Sequence, residues 1–359
     1  MTLTERDVLN AMSTVIDPEL KVDLVKAGMV KDVKIDGGAV ALTIELTTPA
    51  CPMKDQIQKD AEGALRKAGI STFNLTWSAK VRAAPAGVSK DQLLPGVKNV
   101  LLVGAGKGGV GKSTVSLNLA CALAKLGAKV GLLDADFYGP SIPIMTGLNK
   151  RPVSPDGKTL EPLEAHGIKV MSIGFLIEPD QALVWRGPML HGALTQLVRD
   201  VRWGELDYLV LDLPPGTGDV VLSMSQQVRA AGAVLVTTPQ DVSLADVVRA
   251  RQMFEKVHVP VLGLVENMSQ FICPNCSHTT EIFSHGGGKK AAELMGISFF
   301  GELPIELAVR KGSDEGLPVV VGAPESPVGK RFLELARAVA GRVSQENHRV
   351  RLPVMSAAS

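Results

Sequence analysis

Residues 106–114 read GKGGVGKST, and no other stretch restricts the fold of this chain as tightly. The pattern G-x-x-x-x-G-K-[ST] works only where a strand feeds a tight glycine loop that opens a helix. The flanks supply both: Leu101 to Gly104 is a short apolar run, and Ser113 to Leu126 has helical spacing. Gly106, Gly108, Gly109 and Gly111 let backbone N–H groups turn inward around phosphate oxygens, with the positive end of a helix dipole behind them. Val110 and Thr114 complete the nucleotide segment. By the logic of such loops, Lys112 contacts the β- and γ-phosphates and Ser113 ligates Mg2+, so ATP and Mg2+ are the expected cofactors.

The apolar runs VLLVG, KVGLLDAD, YLVLDLPPG, AVLVTTPQ and VLGLVENMS alternate with helical patterns from Asn99 onward. Runs of this kind are buried parallel strands joined by crossover helices, which predicts a doubly wound, mostly parallel α/β sheet with ligands at the carboxyl ends of its strands. Asp212 ends the run Leu209-Val210-Leu211-Asp212 and precedes PPGTGD. It is the expected Walker-B acid, holding metal through water, against the alternative of an ordinary strand-capping aspartate. Asp134 and Asp136 follow another strand, where either positions water or metal or serves the structure alone. Lys107 is a second lysine in a loop that needs one. Either it is a solvated surface lysine, or it serves the nucleotide of a partner chain, because phosphoryl transfer gains from a cation delivered across an interface.

Ahead of this domain the sequence changes character. Val8, Leu9, Met12 and Val15 recur at helical spacing from Leu3 to Val15, with Thr4 as N-cap and Asp17-Pro18 as stop. Two alternating runs, Val30 to Ile35 and Val40 to Leu46, flank Gly37-Gly38 as a hairpin; a helix from Met53 to Lys67 and a strand from Thr72 to Val81 complete an α-β-β-α-β order. The expected organisation is a small α+β domain over 1–83, a Pro- and Gly-rich linker over 84–97, the ATPase domain over 98–345 and a flexible tail over 346–359.

Net charge is +1 and the four cysteines do not form a secreted disulfide framework. With no leader-like amino terminus and no apolar run of about 20 residues, a cytoplasmic protein with neither membrane nor nucleic acid as partner is expected.

The residues KGGVGKS resemble the deviant Walker A motif of the MinD, ParA and nitrogenase-iron-protein group of dimeric ATPases. Within that group DADFYGPS, DLPPGTGD, TTPQ, VENMS and CPNC look like the Mrp/ApbC family of iron-sulfur carrier ATPases, over about Asn99 to Ser344. The resemblance implies a homodimer in which Lys107 reaches across to the partner's nucleotide. It also implies that Asp136 orients the attacking water, Asp134 belongs to the first switch, Asp212 is the metal-linked acid of the second, and Asn267 reads adenine near the backbone of Pro304. The first domain, with TTPACPM from Thr47 to Met53, is similar to the metal-sulfur cluster biosynthetic domain, and Cys51 matches its cysteine. Apo iron-sulfur proteins and cluster scaffold proteins are the implied partners.

Cys273 and Cys276 supply two thiolates, half of what a tetrahedral zinc or a four-iron cluster needs. Two chains about a two-fold axis would supply four, and the resemblance points to a bridging [4Fe-4S] cluster. Within one chain His278 and His285 could instead complete a Cys2His2 zinc set. Cys51, in a loop before a helix, is either a thiolate of lowered pKa or inert, while Cys121 lies on an apolar helix face. An ATP-dependent cluster carrier is therefore expected. The rivals are a MinD- or ParA-like spatial organiser, which the short tail RVRLPVMSAAS does not equip with an amphipathic anchor, and a zinc-containing scaffold with a vestigial ATP site.

Overall fold

A computed structural model of the chain describes residues 3–84, 93–137, 139–177, 187–216, 222, 224 and 227–348, the side chains of 187–191 excepted. Most of the expected linker, the expected tail from 349 onward, Tyr138 of DADFYGPS and residues 217–219 of PPGTGD lie outside the described residues. The chain divides into two compact units, Met1–Arg82 with Gly341–Ser359, and Ala83–Ala340.

In the first unit, helix α1 (Glu5–Met12) starts at Thr4, whose side chain accepts from Asp7 N–H while the Asp7 carboxylate accepts from Thr4 N–H. This reciprocal box satisfies two of the donors that a helix start leaves orphaned. The helix stops three residues before Val15, because Val15 N–H turns back to the Met12 carbonyl and the Val15 carbonyl accepts from Leu24 N–H. Strands β1 (Val30–Asp36) and β2 (Ala39–Leu46) pair antiparallel, helix α2 spans Lys54–Lys67, and β3 (Phe73–Ala79) lies parallel to β2. Along β2 every second residue, Val40, Leu42, Ile44 and Leu46, is buried. That alternation is the signature of a sheet with one face on the core, here formed with Val8, Met12, Ile57 and Leu65 of the two helices.

The second unit is built on a sheet whose seven central strands run parallel. In chain order its elements are β4 (Val97–Ala105), α3 (Lys112–Lys125), β5 (Val130–Asp134), α4 (Ile142–Thr146), β6 (Leu163–Ala165), β7 (Ile168–Ser172), α5 (Gly187–Arg199), β8 (Leu206–Asp212) and β9 (Ala230–Thr237). They continue with α6 (Asp241–Lys256), β10 (Val261–Ile272), β11 (Thr279–Thr280), α7 (Gly287–Met295), β12 (Ser298–Ile305), α8 (Leu307–Glu315), α9 (Val319–Gly322) and α10 (Pro327–His348), of which the residues from Gly341 onward count with the first unit. The parallel order is β12-β10-β9-β4-β8-β5-β7, with β6 and the short β11 added antiparallel. Leu101, Leu102 and Val103 of β4 are fully buried. Consecutive burial on both faces is what a central parallel strand requires, and it explains the unbroken apolar runs of the sequence. Strand β10 departs from regularity: between Asn267 and Phe271 its register against β12 shifts, so that four residues of β10 advance against two of β12, and Met268 takes φ +58°. Among the described residues no helix is long and apolar enough to cross a membrane.

Candidate functional site

Strand β4 ends at Ala105 and helix α3 opens at Lys112, so the loop between them lies at the carboxyl edge of the sheet, as the sequence requires. Gly111 caps α3 with φ +82°, and a Cβ there would collide with the Asn267 amide. Glycine is needed twice over at that position, for its left-handed backbone and for the close approach. Lys107, Lys112, Ser113, Thr114, Asp136 and Pro215 are among the residues lining a cleft of about 300 Å3 over the loop.

Beneath the loop, register alone assembles the acids. Asp134 at the end of β5 pairs with Asp212 at the end of β8 on one side and with Ser172 of β7 on the other. Asp212 is fully buried, and Lys112 Nζ lies 2.9 Å from its Oδ1. Ser113 Oγ donates to Asp212 Oδ2 at 2.5 Å and Ser116 Oγ to Oδ1 at 2.6 Å. A carboxylate at zero exposure is tolerable only with such compensation. Asp134 accepts from Ser172 Oγ (2.9 Å) and from Asp136 N–H (3.1 Å). Burial, reinforced by the neighbouring Asp212 charge, pushes the Asp134 carboxyl above the usual carboxylate range. Asp136 stands nearer the cleft, 3.8 Å from Lys112 Nζ. Lys107 lines the same cleft at intermediate exposure and has no partner among the described residues. Asn267 Nδ2 donates to the Val110 carbonyl at 2.8 Å, which fastens strand β10 to the loop.

Ser116 and Ser172 were not singled out by the sequence. Ser116 follows Ser113 by three residues, which places both hydroxyls on one helix face, so Ser116 was findable. Ser172 was not, because only strand pairing brings it to Asp134.

Strand β10 runs on past Asn267 to Ile272 and turns at Cys273 into β11. Cys273 N–H donates to the His278 carbonyl and Ser277 N–H to the Cys273 carbonyl, closing a tight hairpin tip with Cys276 exposed on it. The N–H groups of Cys276 and Asn275, then the Cys276 thiol, hold the Cys273 thiol below the usual thiol range. This favours the thiolate that binds metal. The one-chain Cys2His2 set does not gather: His285 Nε2 bonds Glu302 Oε2 at 2.7 Å, and His285 joins carboxylates rather than sulfur.

For Cys51 the geometry favours the inert one of its two readings. It sits in the turn between β2 and α2, 8% exposed, with its thiol 3.9 Å from Glu19 Oε2. Burial, together with the Glu19 and Asp17 carboxylates, pushes its pKa up to about 12, so the thiol is held protonated instead of activated. Burial likewise raises Cys121 to about 12, in keeping with a core role.

Comparison with known proteins agrees with this geometry. Residues 96–340 match the family described as NUBPL iron-transfer P-loop NTPase, and residues 5–70 match the family of iron-sulfur cluster assembly proteins. The iron-sulfur cluster carrier protein of Deinococcus radiodurans is 49% identical over 339 residues, covering 94% of this chain and 95% of the relative. Among solved structures, the nucleotide-binding protein of Archaeoglobus fulgidus in complex with ADP aligns with a TM-score of 0.57 at 44% identity, over 64% of this chain and 92% of that one. The cell-division ATPase MinD of Pyrococcus furiosus shares the fold, with a TM-score of 0.52 at 24% identity over 67% of this chain and 98% of its own.

Proposed function

The chain belongs to the NUBPL iron-transfer P-loop NTPases, and from that premise we propose that it is an ATP-dependent carrier that binds an iron-sulfur cluster on Cys273 and Cys276 and passes it to apo-proteins. The observation that carries this reading is the course of β10. One strand holds Asn267 against the phosphate loop and ends at Ile272, next to Cys273, so a change at the nucleotide has a path to the cargo along one element. Cluster carriage is also what the D. radiodurans relative is named for.

In this reading the cargo is a [4Fe-4S] cluster shared by two chains, each giving one thiol pair. Lys112 binds the terminal phosphates, and Asn267 with the backbone near Pro304 reads adenine. Asp136 lies on the cleft side of the acid cluster, where a carboxylate can orient water toward the γ-phosphate; Lys107, lining the same cleft without a partner among the described residues, is offered to the opposing protomer. The Ser113 hydroxyl and the Asp212 carboxylate are adjacent hard oxygen donors and fit Mg2+. When bound, that ion would neutralise charge developing on the phosphates. Asp134 supports this pair from the neighbouring strand.

Anaerobic reconstitution with iron and sulfide tests the proposal. Wild type should gain the brown colour of a cluster, about two irons per chain for a bridging [4Fe-4S], and release it to an apo-ferredoxin, while Cys273→Ala and Cys276→Ala should do neither. A wild-type protein that stays colourless and takes up zinc alone would overturn it.

A further inference from the structure

His285, freed from the zinc set, stands among carboxylates in an arrangement that no role in nucleotide or cluster binding accounts for. Glu266 of β10 and Glu302 of β12 are register partners in a parallel pair, so two carboxylates project from neighbouring positions, a placement whose like-charge repulsion has to be offset. Glu266 is fully buried. Its Oε1 accepts from Gly286 N–H at 3.1 Å and its Oε2 from Gly288 N–H. A Cβ on Gly288 would press against the Glu266 side chain, so glycine makes the space into which that carboxylate fits. His285 Nε2 closes the group on Glu302 at 2.7 Å, while its Nδ1 faces Glu281 Oε1 at 3.6 Å. One ligand atom each from Glu266, His285 and Glu302 falls within 4.8 Å of the others.

We infer that Glu266, His285 and Glu302 form a mononuclear site for a first-row divalent transition metal, separate from the thiol pair and from the phosphate loop. One imidazole and two carboxylates make a borderline-to-hard ligand set suited to Zn2+, Fe2+, Co2+ or Mn2+, and three protein ligands leave positions open to water. Glu281 beside Nδ1 is the outer carboxylate that metal-bound histidines usually have, fixing the tautomer that presents Nε2. His285 lies nine residues after Cys276. A metal here would therefore pin the segment leaving the cysteine hairpin onto β10 and β12. The inference does not depend on the carrier reading, since it rests on ligands that take no part in cluster binding.

The test is Co2+ titration of the full-length Cys273→Ala/Cys276→Ala protein, stripped of metal and free of nucleotide, so that thiolates do not compete. One Co2+ per chain should bind with weak visible ligand-field absorption and no sulfur charge-transfer band. His285→Ala and Glu302→Gln, checked for unchanged circular dichroism, should each weaken binding at least about tenfold. If His285→Ala does not fold, His285→Asn replaces it with the same expectation. Binding that survives both His285→Ala and Glu302→Gln, or no Co2+ uptake at all, would each overturn the site.

Discussion

Lys112 Nζ and Asp212 Oδ1 lie 2.9 Å apart at the foot of the phosphate loop, with the lysine side chain 6% exposed and the aspartate not at all. A pair this buried is held by mutual need. Removing one member strands the other charge in a low-dielectric site, a loss of roughly 3–5 kcal/mol, whereas neutralising both costs far less. Lys112→Met should therefore speed hydrogen exchange of the β4 and β8 amides by an amount in that range. Lys112→Met/Asp212→Asn should restore at least half of the protection and still fail to hydrolyse ATP.

Lys107 has the opposite character, since it borders the cleft with no partner among the described residues. If it acts across a dimer, Lys107→Ala should lower ATP turnover by about 10^3-fold with little effect on nucleotide affinity. Mixing Lys107→Ala with Lys112→Ala protein should then recover activity, because one composite site in each mixed pair keeps both lysines. Turnover that does not rise on mixing would count against cross-chain action.

The four cysteines should separate by reactivity. At pH 8 iodoacetamide should label Cys276 and Cys273 first, and Cys51, with its thiol near 12 and 8% exposure, on the order of a hundredfold more slowly. Cys121, 1% exposed, should react last. Peptide mass spectrometry over time reads the order directly, and early labelling of Cys51 would show that its turn opens.

Glu19 gives the first unit a pH dependence. Burial, then the Asp17 charge, raises its pKa from 4.5 to about 7. The folded state thus holds a proton that the unfolded chain has released between those values. Its contribution to stability is full below about pH 4.5 and is lost as pH rises through about 7. The group is partly exposed, so solvent screening reduces the effect to about 1–2 kcal/mol. Glu19→Gln should be more stable than wild type at pH 8 and equal to it near pH 4.5; thermal unfolding of both proteins across this range checks the sign.

How much of this was legible in the sequence follows from the range of the forces involved. The phosphate loop, the parallel strands and the Thr4 cap are local patterns of glycine, apolar runs and capping side chains, and the structure places them within a few residues of expectation. Cys51 stayed open between two readings because its loop-before-helix setting is visible in the sequence while its burial beside Glu19, 32 residues away, is not. The same holds for His285, which chain proximity offered as an alternative partner of the cysteines and the fold places on Glu302. Contacts across the sheet, such as Ser172 with Asp134, depend on a strand order that the sequence does not print.

The slipped register of β10, with Met268 in a left-handed conformation between Asn267 and the cysteine tip, makes that strand a joint more than a rod. Beyond the joint the tip from Pro274 to Thr280 is exposed, so little apolar contact ties it to the buried half of the strand. In the carrier proposed above, handing over a fragile inorganic cargo would then need only a small local hinge, without opening the apolar interior.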